Sequence, residues 1–345
     1  MAKKEKQVSS SSETVPNYAT DPAAFRRKKA LVKQRIVSFI PLMAMVVLGL
    51  LYIICALANG FNLRLGFRSI ISQATLVALV ATGATFIFTA GSFDLSLGSN
   101  MLVSALLGGL VGKATGNLFL MLIVSIAVAI ALSVLNSSLA SVFKLPVFIM
   151  TIVMMSVYSA VATLILTTLG QNAQVAVPME LVEPLNNSWF RLILLGVYEL
   201  FCLFIFYILK LGRKQKFLGG NSFVAYLSGI KASKLTILSF ALAGIGIGLA
   251  AFSMTVETPT LSASSGSSVG MNMLIVLVFG GMSMSGGPKS KMYAAIVGAF
   301  SMAFLDAFMN IYVEGSWYLQ IVKGILFVTV VFAINSGTKH RLLER

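Results

Sequence analysis

The sequence predicts an all-α polytopic membrane protein with about ten transmembrane helices. Of its 345 residues, 57% are hydrophobic and only 11% are charged, whereas about a quarter of the residues in a soluble domain are charged. Apolar runs of roughly 20 residues, the length that crosses a hydrocarbon core, recur along the chain. The net charge is +15, but the cations fall in short loops and tails, so we expect no binding of nucleic acid.

The chain divides into a tail, a membrane domain and a second tail. Residues 1–34 are polar, Ser-rich and basic, which predicts a disordered tail rather than a cleaved signal peptide. Residues 35–338 form the transmembrane domain, and residues 339–345 form a C-terminal tail. The predicted spans are 36–58, 69–90, 97–112, 118–143, 147–169, 189–209, 235–253, 271–286, 292–313 and 317–335.

The distribution of Lys and Arg predicts that both termini are cytoplasmic. With an even number of spans, most of the 26 cations fall on the side of the N-terminus. Lys323 lies inside the last span, and the opposite side holds only four, namely Arg64, Arg68, Lys113 and Arg191. Cationic loops resist translocation and remain in the cytoplasm.

The loop 210–234 is the densest part of this pattern. It contains no carboxylate, and its cations are Lys210, Arg213, Lys214, Lys216, Lys231 and Lys234. The apolar stretch 223–230 in its centre is typical of a small helix. Its apolar side chains follow a helical spacing of i, i+3, i+4 and i+7, which suits a groove on a partner; they are Phe223, Tyr226, Leu227 and Ile230. The alternative is that this stripe packs on the protein's own underside.

No catalytic, metal or nucleotide site is expected. The one histidine, His340, lies in the C-terminal tail, so a Ser/His/Asp or Cys/His set is not available in the membrane domain. The stretch 281–290 resembles a phosphate-binding loop only superficially, because Gly286 is followed by Gly287 and Pro288 and not by the Lys-Ser/Thr pair. Cys55 and Cys202 lie in separate apolar segments and provide neither a disulfide framework nor a metal-ligand spacing.

Charged residues within or near spans are candidates for function. Asp94 follows the second span in a turn of small residues, where capping of the next helix is favoured over a role in transport. Asp306 and Lys323 lie in the last two spans and are expected to pair, with an ion relay as the alternative. Glu199 has no obvious partner, so it either lines an aqueous path or lies near the outer interface. Two Gly-x-x-x-Gly pairs, 108–112 and 244–248, predict close helix packing.

Four blocks of the sequence together resemble the ribose-type permeases of bacterial ABC importers. The first is the turn 91–99 with Asp94, Ser96 and Gly98. The second is the loop 211–230, and the third and fourth are 279–287 and 318–324. They occur in the family's order across most of residues 70–335. The resemblance implies a type II ABC importer-like permease fold in a bacterial cytoplasmic membrane.

The resemblance also implies partners and a coupling role for the loop 210–234. Such permeases work in pairs, bind a cytoplasmic ATPase that holds ATP and Mg²⁺, and receive a monosaccharide from a substrate-binding protein outside the membrane; no cofactor is expected in this chain. The residues implied in ATPase coupling are Gly219, Gly220, Asn221, Ser222, Phe223, Tyr226, Leu227, Ser228, Gly229 and Ile230. This chain departs from the family at Ser222, Phe223, Val224 and Tyr226, which leaves open whether it pairs with itself or with a homologue.

Three other functions remain as alternatives. One is a secondary transporter driven by an ion gradient through the charged residues of the spans. Another is an ABC permease for a solute that is not a sugar, such as a nucleoside or amino acid. The third is a membrane scaffold that moves no solute, and an enzyme is the least favoured reading.

Overall fold

The computed structural model describes residues 22–339, except 267–268, 284–285 and 313–315. The chain divides into residues 1–40 and residues 41–345. The described part is almost entirely helical, as predicted. Its helices are α1 (Pro22–Ala58), α2 (Leu63–Thr89), α3 (Leu97–Thr115), α4 (Leu118–Val142), α5 (Val147–Thr168), α6 (Met179–Val182), α7 (Ser188–Leu203), α8 (Leu211–Gly220), α9 (Ser222–Leu227), α10 (Ala232–Glu257), α11 (Val269–Phe279), α12 (Ala294–Tyr312) and α13 (Ser316–Lys339).

Shorter elements connect these helices. The turn Glu183–Leu185 precedes α7, a π-helical turn, Phe204–Ile208, extends it, and a 3-10 turn, Gly287–Lys289, lies between α11 and α12. Two strands of two residues, β1 (Val175–Ala176) and β2 (Thr260–Leu261), pair in antiparallel register. The pair was not predicted, because each strand is too short to carry a period-2 pattern.

The core lies around α2, α3 and α10, whose side chains are mostly buried. Both predicted glycine pairs are confirmed as close helix contacts with α4. A Cβ on Gly244 would lie 2.6 Å from the Ile130 Cα, and one on Gly112 would lie 2.8 Å from the Met121 Sδ. Small residues at these positions therefore let the helices approach to backbone distance.

Eight of the described helices are long and apolar enough to cross a membrane. The predicted span 271–286 is wrong as one continuous helix, because α11 ends at Phe279 after 11 residues. Gly281 then adopts a φ of +85°, a conformation that turns the chain and is accessible to glycine. In α13 the described apolar stretch, Gln320–Thr329, is shorter than the eight candidate spans. The count of ten is therefore not confirmed.

Part of the predicted N-terminal tail differs from the prediction. Helix α1 begins at Pro22, so the backbone of residues 22–34 is helical rather than disordered. Pro is favoured at the first position of a helix, and the Ala, Lys and Arg residues that follow are strong helix formers. Residues 1–21 and 340–345 lie outside the described part of the chain.

Helix α10 separates two faces of the membrane domain. It has 26 residues and is therefore about 39 Å long. Its first residue follows α9, and its last residue precedes β2. We refer to the end that carries α8, α9 and the turn Gly287–Lys289 as the α9 face.

Candidate functional site: an exposed helix on a glycine junction

Both ends of α9 are fixed by local sequence signals. The Asn221 side chain accepts hydrogen bonds from the backbone amides of Phe223, at 3.0 Å, and Val224, at 3.1 Å, as an N-cap does. At the other end Gly229 has a φ of +75°, and the Ile230 amide donates to the Ala225 carbonyl at 3.0 Å. This is a Schellman motif, which satisfies the last carbonyls of the helix.

The outer face of α9 is formed by large apolar side chains. Phe223 is 68% exposed, Tyr226 is 75% exposed and Leu227 is 68% exposed. Such exposure of contiguous apolar side chains outside a membrane span usually marks an interaction surface. The reading in which these three side chains pack on the protein's own underside is therefore wrong.

Ile230 does not belong to this exposed stripe. It lies beyond the last residue of α9 and packs against a cluster that contains the buried Ala225 and Leu218. The expected spacing of i+7 fails because the Schellman turn at Gly229 ends the helix and folds Ile230 back. Ser222 is exposed, and the Ser228 hydroxyl donates to the Val224 carbonyl at 2.9 Å.

The base of α9 rests on a set of glycines that we call the glycine junction. Its members come from three separate blocks of the sequence: Gly91, then Gly219 and Gly220, then Gly286 and Gly287. A Cβ on Gly219 would overlap the Thr89 carbonyl oxygen and would lie 2.9 Å from the amide nitrogens of Gly91 and Gly287. Three loops thus meet backbone to backbone, which only residues without a side chain permit.

A cleft of about 530 Å³ opens beside the glycine junction on the α9 face. It is lined by small and polar residues on both sides of the start of α9, including Ser92, Asn221, Ser222 and Thr236. A cleft with such a lining can accept a side chain of a docked partner more readily than a large apolar ligand.

Asp94 lies buried in the turn that also carries Gly91. Its Oδ1 accepts hydrogen bonds from the Ser96 amide at 2.8 Å and from the Ser96 hydroxyl at 2.6 Å. Since Ser96 is itself the N-cap of α3, the predicted cap is displaced: Asp94 binds the cap residue rather than the amides of the first turn. Burial raises the pKa of the Asp94 carboxyl to about 6, against the opposing hydrogen bonds from Ser96 and Asn136.

A chain of hydrogen bonds extends from Asp94 into α4 and α5. The Asn136 amide donates to the Ser96 hydroxyl at 2.7 Å, and the Tyr158 hydroxyl donates to the Asn136 carbonyl oxygen at 2.6 Å. Gly98 packs on the opposite side, where its Cβ would lie 3.0 Å from the Gly266 carbonyl oxygen. The family-motif turn 91–99 therefore connects α3, α4 and α5 and contacts the loop before α11.

The other three candidate charged residues of the spans also have partners. Lys323 Nζ lies 2.7 Å from Asp306 Oδ2, so the expected ion pair is present between α13 and α12. Glu199 on α7 is buried, and its Oε2 accepts a hydrogen bond from the Thr82 hydroxyl on α2 at 2.9 Å. Sequence reasoning missed this partner because Thr82 lies 117 positions away.

The described residues contain no group of three or more His, Cys, Asp or Glu side chains that could hold a metal ion. The α9 face carries three features: the exposed helix α9, the glycine junction beneath it and the polar turn beside it.

Comparison with known proteins assigns the chain to a family. A family model described as "Branched-chain amino acid transport system / permease component" matches residues 66–331. The chain therefore belongs to this family of permease components, and it is a multi-pass membrane protein. The match includes α9, the glycine junction and the turn at Asp94.

Three relatives illustrate the similarity. The ribose import permease protein of Escherichia coli K12 is 25% identical over 298 residues, which is 84% of this chain and 91% of the relative. The ribose import permease protein of Bacillus subtilis 168 is 27% identical over 82% of this chain and 89% of the relative. The L-arabinose transport system permease protein of Escherichia coli K12 is 25% identical over 83% and 88%. No solved structure matches the chain significantly.

Proposed function

We propose that this protein is the membrane-spanning permease subunit of an ATP-driven importer and forms the path for a monosaccharide. The observation that carries the proposal is α9, a short capped helix with Phe223, Tyr226 and Leu227 exposed on a base of packed glycines. The relatives named as permeases for ribose and for L-arabinose support a sugar as the solute.

In this proposal α9 docks into a groove of a cytoplasmic ATPase. An amphipathic helix that inserts apolar anchors into a groove is a common mode of recognition. ATP and Mg²⁺ bind to the ATPase, and this chain supplies the anchors. Because the glycine junction joins α8 to the C-terminal end of α2 and to the turn before α12, a displacement of α9 reaches the spans through backbone contacts. The solute path then alternates between two states that the ATPase biases.

The remaining partners follow from the two faces of the membrane domain. The α9 face carries the cationic loop 210–234 and is cytoplasmic, as are both termini. A substrate-binding protein delivers the sugar to the opposite face. A second copy of this chain, or a homologous permease, completes the path.

The test removes the apolar anchors of α9 and leaves the rest of the chain unchanged. In Phe223→Asp/Leu227→Asp, we expect co-purification with the cognate ATPase and sugar uptake in proteoliposomes to be lost. Thermal stability should be unchanged, because both side chains are exposed. The matched control, Phe223→Leu/Leu227→Met, keeps apolar anchors and should keep both activities. Intact association and uptake in the double Asp variant would show that α9 is not the coupling element.

The same proteoliposomes separate this function from an ion-gradient transporter. A transporter that uses Asp94, Glu199 or the Asp306–Lys323 pair would move solute without the ATPase and would stop when the gradient collapses. We expect uptake to need ATP and the ATPase and to survive collapse of the gradient. Competition among ribose, L-arabinose, a nucleoside and an amino acid then tests the class of solute.

A further inference from the structure

A second group on the α9 face is not used by the proposed coupling mechanism. Lys216 on α8 and Lys291 just before α12 come from separate segments, and each ammonium lies over an aromatic ring. Lys216 Nζ is 5.3 Å from the centre of the Phe206 ring, and Lys291 Nζ is 5.3 Å from that of Tyr293. We call Lys216 and Lys291 the lysine pair.

Among the described residues, neither Lys216 nor Lys291 forms an ion pair with a carboxylate. Burial lowers the pKa of the Lys216 ammonium, and the charge of Lys291 lowers it further. Neither the segment 204–234 nor the segment 286–293 contains an Asp or Glu. The two lysines lie on segments that pack together, because a Cβ on Gly220 would lie 3.2 Å from the Pro288 Cδ. Two like charges on adjacent segments favour the binding of an anion near them.

The surroundings of the lysine pair lie at the end of a membrane span. Phe206 and Tyr207 belong to the last turn of the span Ser188–Ile208. The Tyr207 ring packs on the Phe206 ring with their centres 5.0 Å apart, and Tyr207 is 51% exposed. Tyr293, on the other side, is 42% exposed. Half-exposed tyrosines next to cations are typical of the level of lipid headgroups.

We propose that the lysine pair binds the phosphate of an anionic phospholipid at the membrane surface on the α9 face. The two ammonium groups attract the singly charged phosphodiester of the headgroup, while Tyr207 and Tyr293 flank it at the interface. A phospholipid is favoured over an acidic surface of the ATPase because the pair lies beside the end of a span, whereas the exposed tip of α9 is formed by other residues. Binding of the phospholipid is separate from the proposed coupling and requires no ATPase.

The occupied site would connect the lipid to the coupling region. Helix α8 carries Lys216 and ends in Gly219 and Gly220 of the glycine junction, directly before α9. The chain around Lys291 follows Gly286 and Gly287 of the same junction. A bound headgroup therefore holds together the two segments on which α9 rests.

The experiment measures lipid binding to the full-length chain alone, by native mass spectrometry in mild detergent. Phosphatidylglycerol and phosphatidylcholine are titrated separately, and a third arm contains inorganic phosphate. We expect phosphatidylglycerol to bind more tightly than phosphatidylcholine, and phosphate alone not to displace it. Each lysine near a membrane surface contributes about five-fold in affinity. Lys216→Gln/Lys291→Gln should therefore weaken phosphatidylglycerol binding by about 25-fold.

The matched control is Lys214→Gln, which removes one charge from an exposed position of the same helix and should leave the tight site intact. Equal binding of both lipids by the natural chain, or unchanged phosphatidylglycerol binding in the double variant, would overturn the proposal. Loss of ATPase association in the double variant with unchanged lipid binding would assign the pair to the ATPase instead. If the natural chain binds phosphatidylglycerol as expected but does not associate with the cognate ATPase, the proposed function is refuted and the lipid proposal is not.

Discussion

The base and the tip of the loop 210–234 are built in opposite ways. At the base, Gly219 has backbone atoms of two other loops within contact distance, and a Cβ there would overlap the Thr89 carbonyl oxygen. The tip follows shortly after Gly219 along the chain. There, more than two thirds of the surface is exposed in Phe223, Tyr226 and Leu227. The base thus leaves no room for a side chain at Gly219, whereas the tip has no partner within the described chain.

This difference separates residues that build the fold from residues that are available for binding. A close backbone contact resists deformation, because no side chain can rotate to relieve it. An exposed apolar helix contributes little to the stability of its own chain and most to an interface. Substitutions at the base should therefore change stability, and substitutions at the tip should change association.

The largest effect is expected at the base from Gly219→Ala. The added methyl group meets backbone atoms of two other segments, so overpacking should lower the free energy of unfolding by about 3 kcal/mol. The measurement is thermal unfolding of the purified protein, followed by tryptophan fluorescence. The control is Gly196→Ala in α7, where a Cβ has nothing within 4 Å; it should be neutral or slightly stabilising. Equal stability of the two variants would mean that the junction is loosely packed.

The connection between base and tip is tested by Asn221→Ala. Loss of the N-cap should destabilise α9 by about 1 kcal/mol. Amide hydrogen exchange in 222–227 should accelerate about five-fold, with little change in global unfolding. Asn221→Asp keeps an oxygen that accepts the same amides and should restore slow exchange. Unchanged exchange in the Ala variant would show that the docking of Ala225, rather than the cap, holds the helix.

The turn that carries Gly91 gives a pH-dependent effect of similar size. The folded-state pKa of Asp94 is raised from 3.8 to about 6, so the folded protein binds this proton more tightly than the unfolded chain. The stability contribution of Asp94 therefore falls as the pH rises, by about 1 kcal/mol between pH 5 and pH 7. Asp94→Asn cannot titrate and should remove that part of the pH dependence of Tm. Glu180→Gln, at an exposed site, should leave the dependence unchanged, and identical profiles for all three proteins would contradict the prediction.

The smallest effect on stability is expected at the tip from Tyr226→Ser. Because Tyr226 is 75% exposed, the free energy of unfolding should change by less than about 0.5 kcal/mol. Association with the ATPase should nevertheless weaken, since exposed aromatic residues are common anchors of interfaces. Thermal unfolding and co-purification, measured on the same preparation, test both statements. A clear loss of Tm would show that the tip is part of the fold, and the contrast between base and tip would not hold.

The sequence predicted local features well where a single residue type determines the outcome. The apolar stretch 223–230 predicted a short helix, and α9 forms there because Asn221 supplies a side-chain acceptor at its start and Gly229 tolerates a positive φ after its end. The glycine pairs of α3 and α10 predicted close packing, because a residue without a side chain lets a neighbouring helix approach. The failures have local causes too: Gly280 and Gly281 end α11 inside an apolar run that hydropathy treats as one span, and Ile230 lies past the turn that ends α9.

The contacts between distant segments could not be predicted. Nothing in the sequence near Glu199 indicates Thr82, and nothing near Lys216 indicates Lys291, because these pairs depend on how whole helices pack. The meeting of Gly91, Gly219 and Gly287 likewise required the tertiary structure, although each glycine lies in a block that the family resemblance had already singled out.

By itself, the sequence determined the fold class, the approximate helices and the family. Hydropathy and the positions of Gly, Asn and Lys act over one or two helical turns, and the four blocks carry the resemblance. Only the tertiary structure decided which apolar side chains of the loop 210–234 remain exposed, how Asp94 is held, and that three glycine-containing loops form one junction. Exposure and contact depend on the packing of segments that are distant along the chain, and the local pattern of a chain does not encode that packing.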